Sequence, residues 1–171
     1  AVKTPFDLDN NTPSTLDNWS HTVTHPLDTR YGAGQLNIDN SLAILAGGEQ
    51  TPSIITDVAA TGWNHDSIGT WGTQVYFFTV PEGQVAYTYS LVAAWNRKID
   101  FTAGIGLSPA TLTPQTLANV GVRLYDTNGL SLIDSSLSTI DNVQHIYQRA
   151  LPAGRYEVVL NSSLATDYAL A

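Results

Sequence analysis

"VAYTYSLVAAW", residues 85–95, carries the cleanest alternation in the chain. Val85, Tyr87, Tyr89, Leu91, Ala93 and Trp95 occupy every second position. Successive side chains of an extended strand point to opposite faces, so these six share one side. The pattern predicts a strand that covers one side of a core.

Working outward, the same period recurs. "TQVYFFTV" (73–80) reads as a strand closed by the turn "PEGQ". "NVGVRLYDTNGLSLIDSS" (119–136) reads as a hairpin, with Val120, Val122 and Leu124 pointing one way and "DTNG" supplying a turn that tolerates left-handed backbone. "DNVQHIYQRAL", the turn "PAGR", "YEVVLN" and "DYALA" continue the run to the C-terminus. Upstream, "SIITDVAA" (53–60) reads as a strand and "GWNHDSIGTWG" (62–72) as a long loop. About eight short strands predict an all-β fold, an antiparallel β-sandwich of jelly-roll-like form, over residues 51–171.

Residues 1–50 have a different texture. Turn formers recur every few residues with no sustained period. Within "RYGAGQLNIDNSLAILAGG" (30–48), Asp39 is placed to cap a short helix over 39–46, and Gly47-Gly48 to stop it. Leu42, Leu45 and Ala46 would share one face of that helix and need something to pack on. The expected organisation is a loop-rich segment over 1–50 with one short helix, followed by the sandwich.

Bulk composition narrows function. The 171 residues include seven Lys and Arg against fifteen Asp and Glu, a net charge of −8. Phosphate binding needs clustered cations, so nucleic acid is excluded as a partner. Without cysteine there are no disulfides and no thiolate metal sites. No apolar run approaches the roughly 18 residues of a membrane span. The chain contains no Met, which leads us to expect a fragment of a larger exported protein.

Two stretches together resemble known families. "PLDTRYGAGQLNIDNSLAILAGG" (26–48) resembles the closing segment of the catalytic domain in subtilisin-like serine proteases, where a Tyr-Gly-x-Gly turn and a short helix pack outside the α/β core. "VYFFTVPEGQ" and "VRLYDTNGLSLIDSS…LPAGRYEVVLNSS…DYALA" resemble the pre-peptidase C-terminal domain, a β-sandwich with a Leu-Tyr-Asp-x-x-Gly hairpin and a Leu-Pro-Ala-Gly-x-Tyr turn. The resemblance implies a non-catalytic accessory domain of a secreted or cell-surface bacterial protein. Its implied roles are secretion, stabilisation of an upstream protease domain, or attachment to substrate or surface. The upstream domain is the implied partner.

The protease triad motifs are absent, and "GTWGT" (69–73) has Trp71 where a nucleophile would stand, so no catalytic residue is assigned. "HTVTH" places His21 and His25 four apart, but Thr22 replaces the general-base Glu and Pro26 breaks any helix. Asp7, Asp9 and Asn10, with Asn11, offer oxygens to a Ca²⁺ ion, although Asx turns account for the same letters. No other cofactor is expected. Ser135, Ser136, Asp141 and His145 contain the elements of a Ser-His-Asp set, or else a solvated strand face. Trp63, Trp71 and Trp95 raise a carbohydrate- or matrix-binding alternative, with polysaccharide or surface material as partner. On the alternating face Trp95 reads as core, whereas Trp63 and Trp71 flank a loop. A third reading is a structural or adhesion domain with no ligand.

Overall fold

The alternation of residues 85–95 becomes β3 (Ala86–Trp95), which lies in a four-stranded sheet. Around it the computed structural model describes residues 22–28, 32, 36–104, 106 and 109–171. The elements are α1 (Ile38–Gly47), β1 (Asn64–Ile68), β2 (Thr73–Val80), β3, β4 (Ile99–Thr102), β5 (Thr111–Pro114), β6 (Val120–Asp126), β7 (Ser131–Ser136), β8 (Val143–Leu151), β9 (Gly154–Ser162) and β10 (Thr166–Leu170). Sheet I has the order β1-β10-β3-β8 and sheet II the order β2-β9-β6-β7. Every strand pairing in both is antiparallel. The expected β-sandwich is what forms.

Its core is made by the two inward faces. Sheet II contributes Tyr76, Phe78, Val120, Val122, Leu124, Val158 and Leu160; sheet I contributes Leu91, Ala93, Trp95, Ile146, Tyr168 and Leu170. Burying one such large side chain is worth about 1.5–3 kcal/mol. Aromatic rings cross the gap: Phe78 stacks on Tyr89 of the facing sheet at 5.0 Å and on Tyr156 beside it at 5.2 Å. The Tyr156 hydroxyl donates to the Pro152 carbonyl (2.7 Å), which ties β9 to the turn before it.

Polar groups inside the sandwich are matched to one another. Gln144 of β8, fully buried, reaches across to β6 and donates to the Val120 carbonyl (2.8 Å) and the Ser138 carbonyl (2.8 Å). Its carbonyl oxygen accepts from the Ser136 hydroxyl (2.6 Å) and the Ser138 N–H (3.1 Å). Both donors and the acceptor of the amide are therefore used. Elsewhere Asn64 donates to the Tyr76 hydroxyl (2.7 Å), which is hydrogen-bonded to that of Tyr168 (2.5 Å). Burial pushes both phenols above their ordinary range.

The structure corrects several local expectations. Val85 and Tyr87 do not join the core face. The partner strand β10 stops at Leu170, opposite Ala93, so the first half of β3 runs on beyond it with β8 as its strand neighbour. "SIITDVAA" is not a strand. The Ser53 hydroxyl accepts from the N–H groups of Ile55 (3.1 Å) and Thr56 (2.9 Å), and that local turn competes with ladder formation. The segment still covers the free edge of β2: Ser53 N–H donates to Val75 and Val58 N–H to Phe77, while Ile54 and Ile55 bulge outward. In the stretch read as a loop, "NHDSI" is strand β1, paired along its length with β10. Only its ends, Asn64 and Ile68, are buried, so its letters show no apolar alternation. A further hairpin, β4–β5, stands apart as a two-stranded sheet with all eight residues exposed.

α1 begins one residue before the expected 39–46 span and ends one after it. Its cap is Asn37 rather than Asp39: the Asn37 side chain accepts from the Asn40 N–H (2.9 Å). The helix buries none of its residues. Gly47 ends it against the loop, where an added Cβ would lie 2.1 Å from the Thr61 carbonyl oxygen, so no larger residue fits there.

Candidate functional site

The conceivable Ser-His-Asp set is taken apart by the fold. The Ser136 hydroxyl is committed to Gln144 and also accepts from the His145 N–H (3.1 Å). Asp141 lies in the turn before β8, where its carboxylate accepts from the Ser138 hydroxyl (2.7 Å). Ser135 points opposite to Ser136, and its N–H donates to Asp134 (2.7 Å). The imidazole of His145, 1% exposed, instead places Nε2 3.2 Å from the hydroxyl of Ser90 on the neighbouring strand. Sequence reading missed that contact because register alone joins positions 55 apart.

Other candidates separate as follows. Asp7, Asp9, Asn10, Asn11 and His21 lie outside the described residues. His25 is exposed, in a tight turn closed by paired backbone bonds with Thr22. Among the described residues no group of three or more His, Asp or Glu is placed to hold a metal ion, and no helix is long and apolar enough to cross a membrane.

Of the four tryptophans, Trp19 lies outside the described residues, and the other three have three different fates. Trp95 is core, its indole N–H donating to the Ala118 carbonyl (2.8 Å). Trp63 is half-buried in the junction behind α1, where its backbone bonds Gly48 and Gln50. Trp71 is 82% exposed. It is the third residue of the turn 69–72, closed by Gly72 N–H to the Gly69 carbonyl (2.9 Å), and has φ +56°. A bulky residue in the left-handed region costs about 1–3 kcal/mol.

This turn is firmly mounted. The Thr70 hydroxyl accepts from the Ala165 N–H (3.1 Å), and the Gly72 carbonyl accepts from the Ser162 N–H (3.2 Å). Both contacts tie it to the β9–β10 connection. From the turn a row of polar side chains runs across the outer face of sheet II. The Asn161 amide donates to the Thr73 hydroxyl (2.9 Å) and accepts from Arg123 (2.7 Å). Each amide group of Asn161 is thereby oriented, and the Thr73 hydroxyl proton and most of the Arg123 donors remain for other partners.

A second surface feature is the helix. Ile38, Leu42 and Leu45 recur at the spacing of one helical face and are 68%, 58% and 65% exposed. The linker beyond adds exposed Ile54 and Ile55.

No protein-family model matches this chain, and no curated protein matches it. Among solved structures it is similar to the enzymatically active domain of tailspike protein 4 from bacteriophage CBA120, with 16% identity and a TM-score of 0.31. The match covers 72% of this chain and 16% of that one, so the chain spans a small part of that structure's length. A likeness this slight carries no argument about function.

Proposed function

We propose that this chain is a non-catalytic accessory module of an exported, subtilisin-like protein, with the pre-peptidase C-terminal type of sandwich behind the tail of a protease-like domain. The observation that carries the reading is α1. A helix capped by Asn37 and stopped at Gly47 presents Ile38, Leu42 and Leu45 to solvent together, while Ile44 is half-buried and no residue of the helix is fully buried. Such a face suits packing on a neighbouring α/β core, which is the place the subtilisin-like motif gives it. The sandwich itself then serves secretion, stability or attachment.

The coding sequence upstream of Ala1 tests this directly. A Gly-Thr-Ser nucleophile context within some tens of residues is the expected result, and an unrelated upstream domain overturns the reading. The isolated chain is also expected to hydrolyse no peptide and to take up no fluorophosphonate label on Ser90 or any other serine. Hydrolysis with labelling would place the catalyst here and overturn the non-catalytic assignment.

A further inference from the structure

We propose that the turn 69–72 and the adjoining outer face of sheet II form a carbohydrate-binding site, in which Trp71 stacks on a sugar ring and Thr73, Asn161 and Arg123 bind its hydroxyls. The inference is independent of the accessory reading. It starts from a residue that the fold itself does not use. Trp71 adopts a backbone conformation that suits glycine, and its indole is left in water. Glycine at this position would be favoured by the chain on both counts. A large aromatic held there contributes to something outside the chain.

The surroundings define what that is. Gly69 and Gly72 flank the turn, so no side chain from either crowds the indole. The contacts to Ala165 and Ser162 fix the turn in place, so little freedom is lost when a ligand stacks on it. Thr73 follows two residues later, and β9 and β6 carry Asn161 and Arg123 in the next two lanes of the sheet. Strand rise and spacing put the whole row within roughly 15 Å, the scale of a short oligosaccharide. A flat apolar surface beside oriented donors and acceptors matches a pyranose, which has one face of C–H groups and a rim of hydroxyls. A net charge of −8 disfavours polyanionic glycans, so the ligand class is a neutral polysaccharide. The same charge opposes docking on anionic lipid, and the turn offers no second apolar side chain for insertion.

Titration with cellohexaose, chitohexaose, maltohexaose and mannohexaose, followed by tryptophan fluorescence and calorimetry, tests the site. One of them is expected to bind with Kd on the order of 10⁻⁵ to 10⁻³ M. Trp71→Gly should weaken that binding at least tenfold without lowering Tm, because glycine relieves the strained backbone. Asn161→Ala should weaken it by a smaller factor. Tyr87→Ala, which removes an equally exposed aromatic elsewhere, should leave it unchanged. Binding by none of the four sugars overturns the proposal, as does binding that survives Trp71→Gly or falls equally with Tyr87→Ala. Failure here leaves the accessory role standing, since that rests on α1 and is tested by the upstream coding sequence.

Discussion

The interior of the sandwich and the helix α1 solve opposite problems. Between the sheets, apolar groups are covered and most polar groups are matched: Gln144 completes its amide bonding across the gap, and Trp95 and Tyr156 both find carbonyls. α1 is equally well formed, with caps at both ends, yet its Ile38, Leu42 and Leu45 lie in water. Local signals are enough to shape a helix. Stability of the fold comes from burial, and α1, with only Ile44 half-buried, contributes little of it. The two regions therefore answer to different selection, one to folding and the other to contact with something else.

The contrast can be broken by measurement. Gln144→Leu should have the largest effect, a loss of about 3–5 kcal/mol, because it strands the Ser136 hydroxyl, the Ser138 backbone and the Val120 carbonyl in the core. Chemical denaturation reads this as a fall in midpoint at constant m. A near-neutral result would mean that the sheets are held by apolar contact alone.

Alkaline pH comes next. Burial raises the pKa of Tyr76, Tyr89 and Tyr168, so the native state keeps protons that the unfolded chain sheds above about pH 10. Stability conferred by the neutral phenols is intact below that pH. It should then fall as pH rises, by up to about 1.4 kcal/mol per pH unit for each group. A flat profile from pH 9 to 11 would contradict the buried placement.

Tyr89 sharpens the comparison from the other side, as an exception inside the core. Its hydroxyl is buried with no hydrogen-bond partner among the described residues, while its ring stacks on Phe78. Tyr89→Phe keeps the ring and removes the stranded hydroxyl, so it should stabilise by about 1 kcal/mol. At the surface, Asp57→Asn should cost less than about 1 kcal/mol, as for partly exposed ion pairs. Bonds from Thr79 and Arg155 hold the Asp57 carboxyl below its usual range. Its contribution is present above about pH 4 and fades as pH drops through the lowered native value. Smallest of all, Leu42→Glu with Leu45→Glu should shift the unfolding midpoint of this chain by no more than about 0.5 kcal/mol. A loss as large as that of a core substitution would show that α1 belongs to the folded unit after all.

Sequence pattern was most informative where one face alone is buried. Val120, Val122 and Leu124 alternate on the page and in the core, and the hairpin from β6 to β7 turns where "DTNG" says it should. Pattern was blind where polar residues do core work. Asn64, Ser136 and Gln144 are buried by virtue of partners 8 to 24 positions away, and no local rule supplies those partners. β1 was hidden for that reason, and the strand expected over 53–60 dissolved because one serine hydroxyl outcompeted the ladder. Of the site residues, the exposed Trp71 was legible as a loop aromatic. The row formed by Thr73, Asn161 and Arg123 was not, since it depends on strand order.

The cover over β2 has a consequence for how this chain keeps to itself. Residues 53–58 occupy the outer lane of "QVYFFTV" through two backbone bonds and the Asp57–Arg155 clamp. Peeled away, they would leave an uncharged, proline-free, strongly β-forming edge, a ready template for growth of one copy onto the next. A cut between Ile54 and Ile55 would free one end of that cover and open the edge to pairing with another strand.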